Sequence, residues 1–286
     1  MNIKQTIKKM LPSFIYRKIM TNKSLSREQK QLNALKKIQC DTTNLLSSKE
    51  VNLINIFNNE KILNSWKNWQ DKMDSVNIPD FTGGVNPGDR KAIFFLIRHF
   101  KPKSVLEIGT HIGASTVNIA SAIINNQTEL KIKPTFRTLD IRDVNSVSEK
   151  PWLQYGTDKS PLELIKNFEF DSFVEFITDT SFNYFEKTTE TYDFIFLDGD
   201  HSAKTVYQEI TMALDKLNKG GIILLHDYFP NGKPLWSNNS VIYGPFWATE
   251  LLIKERADIV ILPLGGLPWK TKLNSNFTSL ALCLKK

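Results

Sequence analysis

The segment Ser104-Val105-Leu106-Glu107-Ile108-Gly109-Thr110-His111-Ile112-Gly113-Ala114-Ser115-Thr116 constrains this chain more than any other. An apolar run ends in an acid, passes through Gly-x-x-x-Gly and enters a helix-like stretch. That order predicts a buried strand, a tight turn and a helix N-terminus. Gly109 lets the backbone turn sharply, and Gly113 lets the helix begin close to a ligand. Glu at position 107 and the presence of only two glycines set the loop apart from the phosphate-binding G-x-G-x-x-G. An acid-x-Gly-x-x-x-Gly loop suits a ligand with a cationic or hydroxyl-bearing head. A strand–turn–helix with no ligand would carry the same two glycines.

The rest of the chain supplies the strands and helices that such a unit needs. Residues 1–80 read as a helical, polar extension in which Trp66 and Trp69 are candidate docking anchors. The breaker cluster 81–89 then opens the main domain, 81–286. Helices are expected near 88–100, 113–125, 160–167, 203–218 and 244–255. Strands are expected at Ser104–Ile108, Thr135–Ile141, Phe173–Ile177, Tyr192–Leu197, Gly221–Leu225, Ile259–Leu264 and Phe277–Leu284. Alternation of strand and helix implies parallel strands with right-handed crossovers. The last two strands have no helix between them, so that pair is expected to be antiparallel. The fold class is α/β: a Rossmann-like, seven-stranded, mostly parallel sheet with an antiparallel final strand, plus the helical N-terminal extension.

In open sheets of this kind ligands bind beyond the carboxyl ends of the strands. Here those ends are polar in register. The first ends in Glu107, the second in Asp140, and the third is followed by Asp179. The fourth ends in Asp198-Gly199-Asp200-His201 and the fifth in His226-Asp227. Three of the four histidines, His111, His201 and His226, fall in these turns. Asp140 could accept both ribose hydroxyls of an adenosine ligand. Asp179 could accept an adenine amino group or cap the helix that follows it. His201 could act as a base or stabilise its turn. His111 more readily shapes the pocket than reacts. Trp152, Tyr155, Trp236 and Tyr243 lie in loops that would roof the site.

The loop Glu107–Gly113 resembles motif I of the class I S-adenosylmethionine (SAM)-dependent methyltransferases. The segments Tyr192–His201 and Gly220–Tyr228 resemble one subset of that class. It holds the small-molecule O-methyltransferases grouped with macrolide-sugar and cephalosporin-biosynthesis enzymes, often metal-dependent. The likeness spans about residues 83–284 and leaves out the first 80. It implies SAM as cofactor, held by Glu107, Gly109, Thr110, Gly113, Asp140, Asp179 and Asp198. It implies a divalent metal, Mg2+ or Mn2+, at Asp198, His226 and Asp227, with His201 or Asp200 removing the acceptor proton. The chemistry has a reason: a hydroxyl is a poor nucleophile at neutral pH, and a cation plus an adjacent base can generate the attacking oxygen. The sequence departs from the subset at His226, where an acid is usual. A His, Asp, Asp set suits Mn2+, Fe2+ or Zn2+ better than Mg2+. The same fold can also run without a metal on His201 or Asp200 alone, or hold a ligand without turnover as a scaffold.

Charge narrows the partners. Residues 1–30 carry eight basic groups against Glu28 alone, which accounts for the chain's net charge of +7. The remainder is balanced, so no broad nucleic-acid footprint is expected. The chain also lacks the Asn/Asp-Pro-Pro-aromatic tetrapeptide of amino-methylating enzymes. The resemblance to the small-molecule O-methyltransferases implies a small molecule or a glycan sugar as the acceptor. Ile3, Ile7, Met10, Leu11 and Phe14 recur at helical spacing among lysines, with Pro12 as a break. That pattern fits either a helix packed on its own domain or peripheral membrane contact through residues 1–20. The extension could also mediate a homo-oligomer. Cys40 and Cys283 share no motif spacing, which suggests a reducing compartment. With no 18-residue apolar run, the expected location is the cytoplasm, at most peripheral to the inner membrane face.

Overall fold

The first five strands pair in parallel and the last two antiparallel, as the alternation predicts. The structure is a computed structural model that describes residues 13–76, 78–80, 82, 84–131 and 133–286, with backbone alone for 13–21. The basic, apolar pattern of residues 1–12 lies outside the described residues. Strands β1 (Ser104–Ile108), β2 (Thr135–Asp140), β3 (Val174–Thr178), β4 (Tyr192–Leu197), β5 (Leu217–Leu225), β6 (Ile259–Pro263) and β7 (Ala281–Lys285) form one seven-stranded sheet. Its order is β3-β2-β1-β4-β5-β7-β6. The first five strands are mutually parallel, and β7 runs antiparallel to both β5 and β6. The order reverses between β1 and β4, which places the topological switch point at the loop after β1.

Helices cover both faces. The described chain opens with α1 (Ser13–Asn33), α2 (Leu53–Phe57), α3 (Glu60–Asp74) and α4 (Pro87–Phe100). The crossovers are α5 (Ala114–Leu130), α6 (Pro161–Asn167), α7 (Ser181–Lys187), α8 (Ala203–Leu214) and α9 (Gly244–Glu255). One apolar layer packs α2 to α5 against one sheet face, and the other packs α8 and α9 against the opposite face. β1, β4 and the second half of β5 are buried on both faces, which is why they read as near-continuous apolar runs rather than alternating ones.

The extension is built into these layers. Trp66 meets Phe94 edge-on at 5.1 Å, and Trp69 lies 4.7 Å from Phe168. Burying rings of this size stabilises by about 2–3 kcal/mol each. Leu32 and Leu45 join the opposite layer. Contrary to a wholly helical reading of residues 1–80, the stretch 34–52 is largely irregular, with a short 3₁₀ turn at Ser48–Glu50. Leu45 bridges Gly221 and Ser47 bridges Lys285. The first bridge accompanies another difference. The expected helix 203–218 and strand Gly221–Leu225 become a helix that stops at Leu214 and a strand that starts at Leu217. The Gly221 amide donates to Asn44 O, and the Leu46 amide donates to Gly221 O, so the glycine pair is held as strand. Among the described residues no helix is long and apolar enough to cross a membrane.

Candidate functional site

The loop after β1 is fixed by what surrounds it. Gly109 adopts φ +103°, and a Cβ there would lie 2.2 Å from Asp198 O, so only glycine fits. Its amide donates to Leu139 O at 2.8 Å, and the Asp198 amide donates to Ile108 O at 2.9 Å. The ends of β1, β2 and β4 are thereby tied together. Asp140 takes the His111 amide on Oδ2 at 2.9 Å and the Arg142 amide on Oδ1 at 3.0 Å. These bonds present the Asp140 carboxylate along the loop at a fixed angle. Gly113 starts α5 and packs against Pro161.

Above this loop lies a cavity of about 580 Å³. Gly109, Thr110, Asp140, Asp179, Asp198, Asp200 and His201 all line it, as do Tyr155 and Glu209. Glu107 and Gly113 do not. Glu107 is fully buried beneath the loop, where its Oε2 accepts the hydroxyls of Thr116 and Thr138, each at 2.6 Å. Its Oε1 has no partner. Burial pushes the Glu107 carboxyl up to about 7, against the pull of the Ser115, Thr116 and Thr138 hydroxyls. Asp179 accepts two bonds from Asn183 Nδ2, which hold it below the usual carboxylate range. The cap of α7 is Thr180, not Asp179.

A second cavity of about 460 Å³ adjoins the first. His226, Asp227, Trp236, Lys272 and Ser279 line it, and His201 and Gly84 line both. His201 therefore stands at the boundary of the two spaces. Its Nε2 lies 3.5 Å from Asp227 Oδ2. Asp200, the other candidate base, is occupied by its own turn. Its Oδ1 accepts the Ser202 amide, and its Oδ2 accepts the hydroxyls of Ser202 and Thr205. Burial opposes ionisation there, but these bonds outweigh it and keep Asp200 below the usual carboxylate range. A carboxylate so engaged is the weaker base of the two.

His226 is wedged among three carboxylates. Its Nδ1 lies 2.8 Å from Asp198 Oδ1 and 3.6 Å from Asp227 Oδ1, and its Nε2 lies 3.4 Å from Asp89 Oδ2. Neither ring nitrogen makes a well-directed hydrogen bond, so the contact is one of charge. Burial works against a charged ring, yet Asp198, Asp227 and Asp89 together raise its pKa well above the ordinary value. Asp198, His201 and Asp227 also converge, their ligand atoms lying within 4.8 Å of one another. Two carboxylates and one imidazole fit a borderline ion such as Mn2+, Fe2+ or Zn2+.

Two residues of the site escape the strand-end reading. Asp89, in the first turn of α4, is fully buried and holds Asn86 Nδ2 at 2.6 Å while its Oδ1 stays unpaired. Its only sequence signal is an acid three residues after the Asn86 cap. Glu209 sits on the apolar stripe of α8 and accepts Ser181 Oγ at 2.6 Å. Burial pushes it up to about 7.

Residues 106–228 match the family model of a methyltransferase domain. The matched stretch holds Asp140, Asp179, Asp198, Asp200, His201, His226 and Asp227. It leaves out Asp89 and the 271–279 wall of the second cavity. No curated protein matches the chain. Among solved structures the chain is similar to an O-methyltransferase from Bacillus cereus in complex with SAH, with TM-score 0.53, 18% identity, and 78% of this chain and 91% of that one covered. It is similar to a SAH-bound methyltransferase from Podospora anserina, with TM-score 0.51, 19% identity, and 79% and 87% covered. It is also similar to a SAM-bound O-methyltransferase of tomaymycin synthesis from Streptomyces achromogenes, with TM-score 0.51, 15% identity, and 79% and 88% covered. At these identities the likeness is one of fold.

Proposed function

We propose that the protein is a SAM-dependent O-methyltransferase acting on a hydroxyl of a small molecule or glycan sugar. The observation that carries this reading is the position of His201. It borders both cavities, with Asp198 in the wall of one and Asp227 in the wall of the other. A group there can face a cofactor and an acceptor at once.

The chain's residues divide the work. Asp140, held by two amides, is preset to accept the ribose hydroxyls. The main chain from Gly109 to His111 receives the amino-acid end, with no side chain at Gly109 to obstruct it. Asp179 faces the adenine amino group. Glu107 supports the loop from below. When bound, the sulfonium supplies an electrophilic methyl. His201, oriented by Asp227 through Nε2, would take the acceptor proton on its other ring nitrogen, Nδ1, as the acceptor oxygen attacks the methyl and the methyl–sulfur bond breaks. The rest of the rate comes from alignment of acceptor and methyl, which the two walls impose.

A second reading keeps the fold and adds a divalent ion, favoured by the convergence of Asp198, His201 and Asp227. Those three would hold the ion, and the ion would lower the pKa of the acceptor hydroxyl. His226 would then balance the excess negative charge behind the ligands. The test is methyl transfer from labelled SAM to a panel of hydroxylated sugars and phenols, with and without chelator. Transfer that survives chelation selects His201 as base, and loss restored by Mn2+ selects the metal form. Absence of both SAM binding and transfer sinks the proposal.

A further inference from the structure

The turn that carries Asp200 and His201 leads directly into α8, and α8 begins without a cap of its own. Ser202 stands at the cap position, yet its hydroxyl makes no bond to the helix backbone. It is turned to Asp200 Oδ2 and Thr205 Oγ1 instead, each at 2.9 Å. The first amide of the helix, Ala203 N–H, would be an orphan. It is not, because Glu28 Oε1 accepts it at 2.6 Å from 175 residues away. Glu28 is the sole acid in the first thirty residues. It stands where a carboxylate is favoured by the helix dipole as well as by the hydrogen bond.

Glu28 is the first of a row of attachments. The Ile38 amide donates to Tyr207 Oη at 3.3 Å, and the Asp41 amide donates to Asp215 Oδ1 at 2.7 Å. Residues 28–41 thus run alongside α8 from its first residue to just past its last. Leu32 is buried in the same apolar layer as Val206, Tyr207 and Ile210. From another side, the first turn of α9 presses on the catalytic turn. A Cβ on Gly244 would lie 1.8 Å from His201 O. The main chain at His201 to Ala203 is therefore held between the backbone of α9 and the carboxylate of the N-terminal extension.

We propose that Glu28 is a positioning residue for the Asp200–His201 turn, so that the extension outside the methyltransferase domain is part of the site's machinery. This rests on the reading that the turn serves SAM-dependent transfer. Loss of Glu28 frees Ala203 N–H and lets the turn move at the boundary of both cavities, where small displacements matter most.

The experiment compares full-length wild type with Glu28→Ala, Glu28→Asp and Glu28→Gln. Phe57→Leu serves as a control that lowers stability in the opposite apolar layer. Two quantities are read: the Kd of SAH by calorimetry, and hydrogen exchange of the amides at 201–205. Glu28→Ala and Glu28→Asp, which withdraw the oxygen, are expected to speed that exchange at least tenfold and weaken SAH about three- to tenfold. Glu28→Gln keeps an acceptor oxygen and is expected to stay within about twofold of wild type. Phe57→Leu is expected to change neither quantity. Wild-type exchange and affinity in Glu28→Ala would overturn the proposal, as would equal changes in Glu28→Ala and Phe57→Leu. If wild type itself does not bind SAH, the methyltransferase reading fails, and the exchange data alone decide whether Glu28 holds the turn.

Discussion

His226 Nδ1 lies 2.8 Å from Asp198 Oδ1, and on the far side of the ring His226 Nε2 lies 3.4 Å from Asp89 Oδ2. One imidazole ring thus links the end of β4 to the first turn of α4, and its carboxylate neighbours favour the charged form. Removing the ring leaves buried carboxylates facing one another without a counter-charge. His226→Ala is expected to lower stability by about 3–5 kcal/mol, the range for breaking a buried pair from one side. Thermal melts would show it, and adding Asp89→Asn to the same variant should recover part of the loss. A melt within a degree or two of wild type would contradict the ion-pair account.

Gly109 has no tolerated substitute. Gly109→Ala forces a Cβ against Asp198 O and forbids φ +103°. SAH affinity is expected to fall more than tenfold, because the loop can relieve the clash only by separating β1 from β4. Calorimetry measures this directly, and unaltered affinity would mean the loop does not approach the cofactor.

His201 should separate chemistry from binding. Under the proposed mechanism His201→Gln lowers kcat by roughly 10²–10⁴-fold, the usual worth of a general base, while SAH binding changes no more than a few-fold. A His201→Gln enzyme with near wild-type kcat would remove His201 from the base role.

Glu209 gives a pH test with a fixed sign. Its carboxyl is raised from 4.5 to about 7 in the folded state. Between those values the folded protein binds more protons than the unfolded one, so stability falls as pH rises through that window. Glu209→Gln abolishes the effect. Near pH 5 the variant should match or fall slightly below wild type. At pH 8 it should gain on the order of 2 kcal/mol relative to that comparison. Urea titrations at the two pH values suffice, and a constant difference between them would show that Glu209 ionises normally.

Much of this could be seen in the sequence, for identifiable reasons. β1 and β4 begin and end where their apolar runs do, since both are buried on two faces and bounded by polar turns. Asp140, Asp198, His201 and Asp227 were visible because the topology forces strand ends to converge. What stayed hidden depends on contacts distant in sequence. The early start of β5 at Leu217 goes with pairings to Tyr192 and Leu45 that lie far off in sequence. Asp89 looks like one more loop acid until His226 is set beside it. Glu28 looks like a stray charge in a basic helix until α8 is found to lack a cap. Glu107 ends its strand as expected, but two threonine hydroxyls draw its carboxylate under the loop rather than into the cavity.

The most direct test of the central claim is calorimetric titration of SAM and SAH into chelator-stripped protein, repeated with Mn2+ and with Asp140→Ala. The account predicts saturable binding of both compounds, weakened at least tenfold in Asp140→Ala, whose carboxylate is held by the His111 and Arg142 amides. No binding of either compound, with or without Mn2+, would contradict it and leave the strand-end acids to a different ligand.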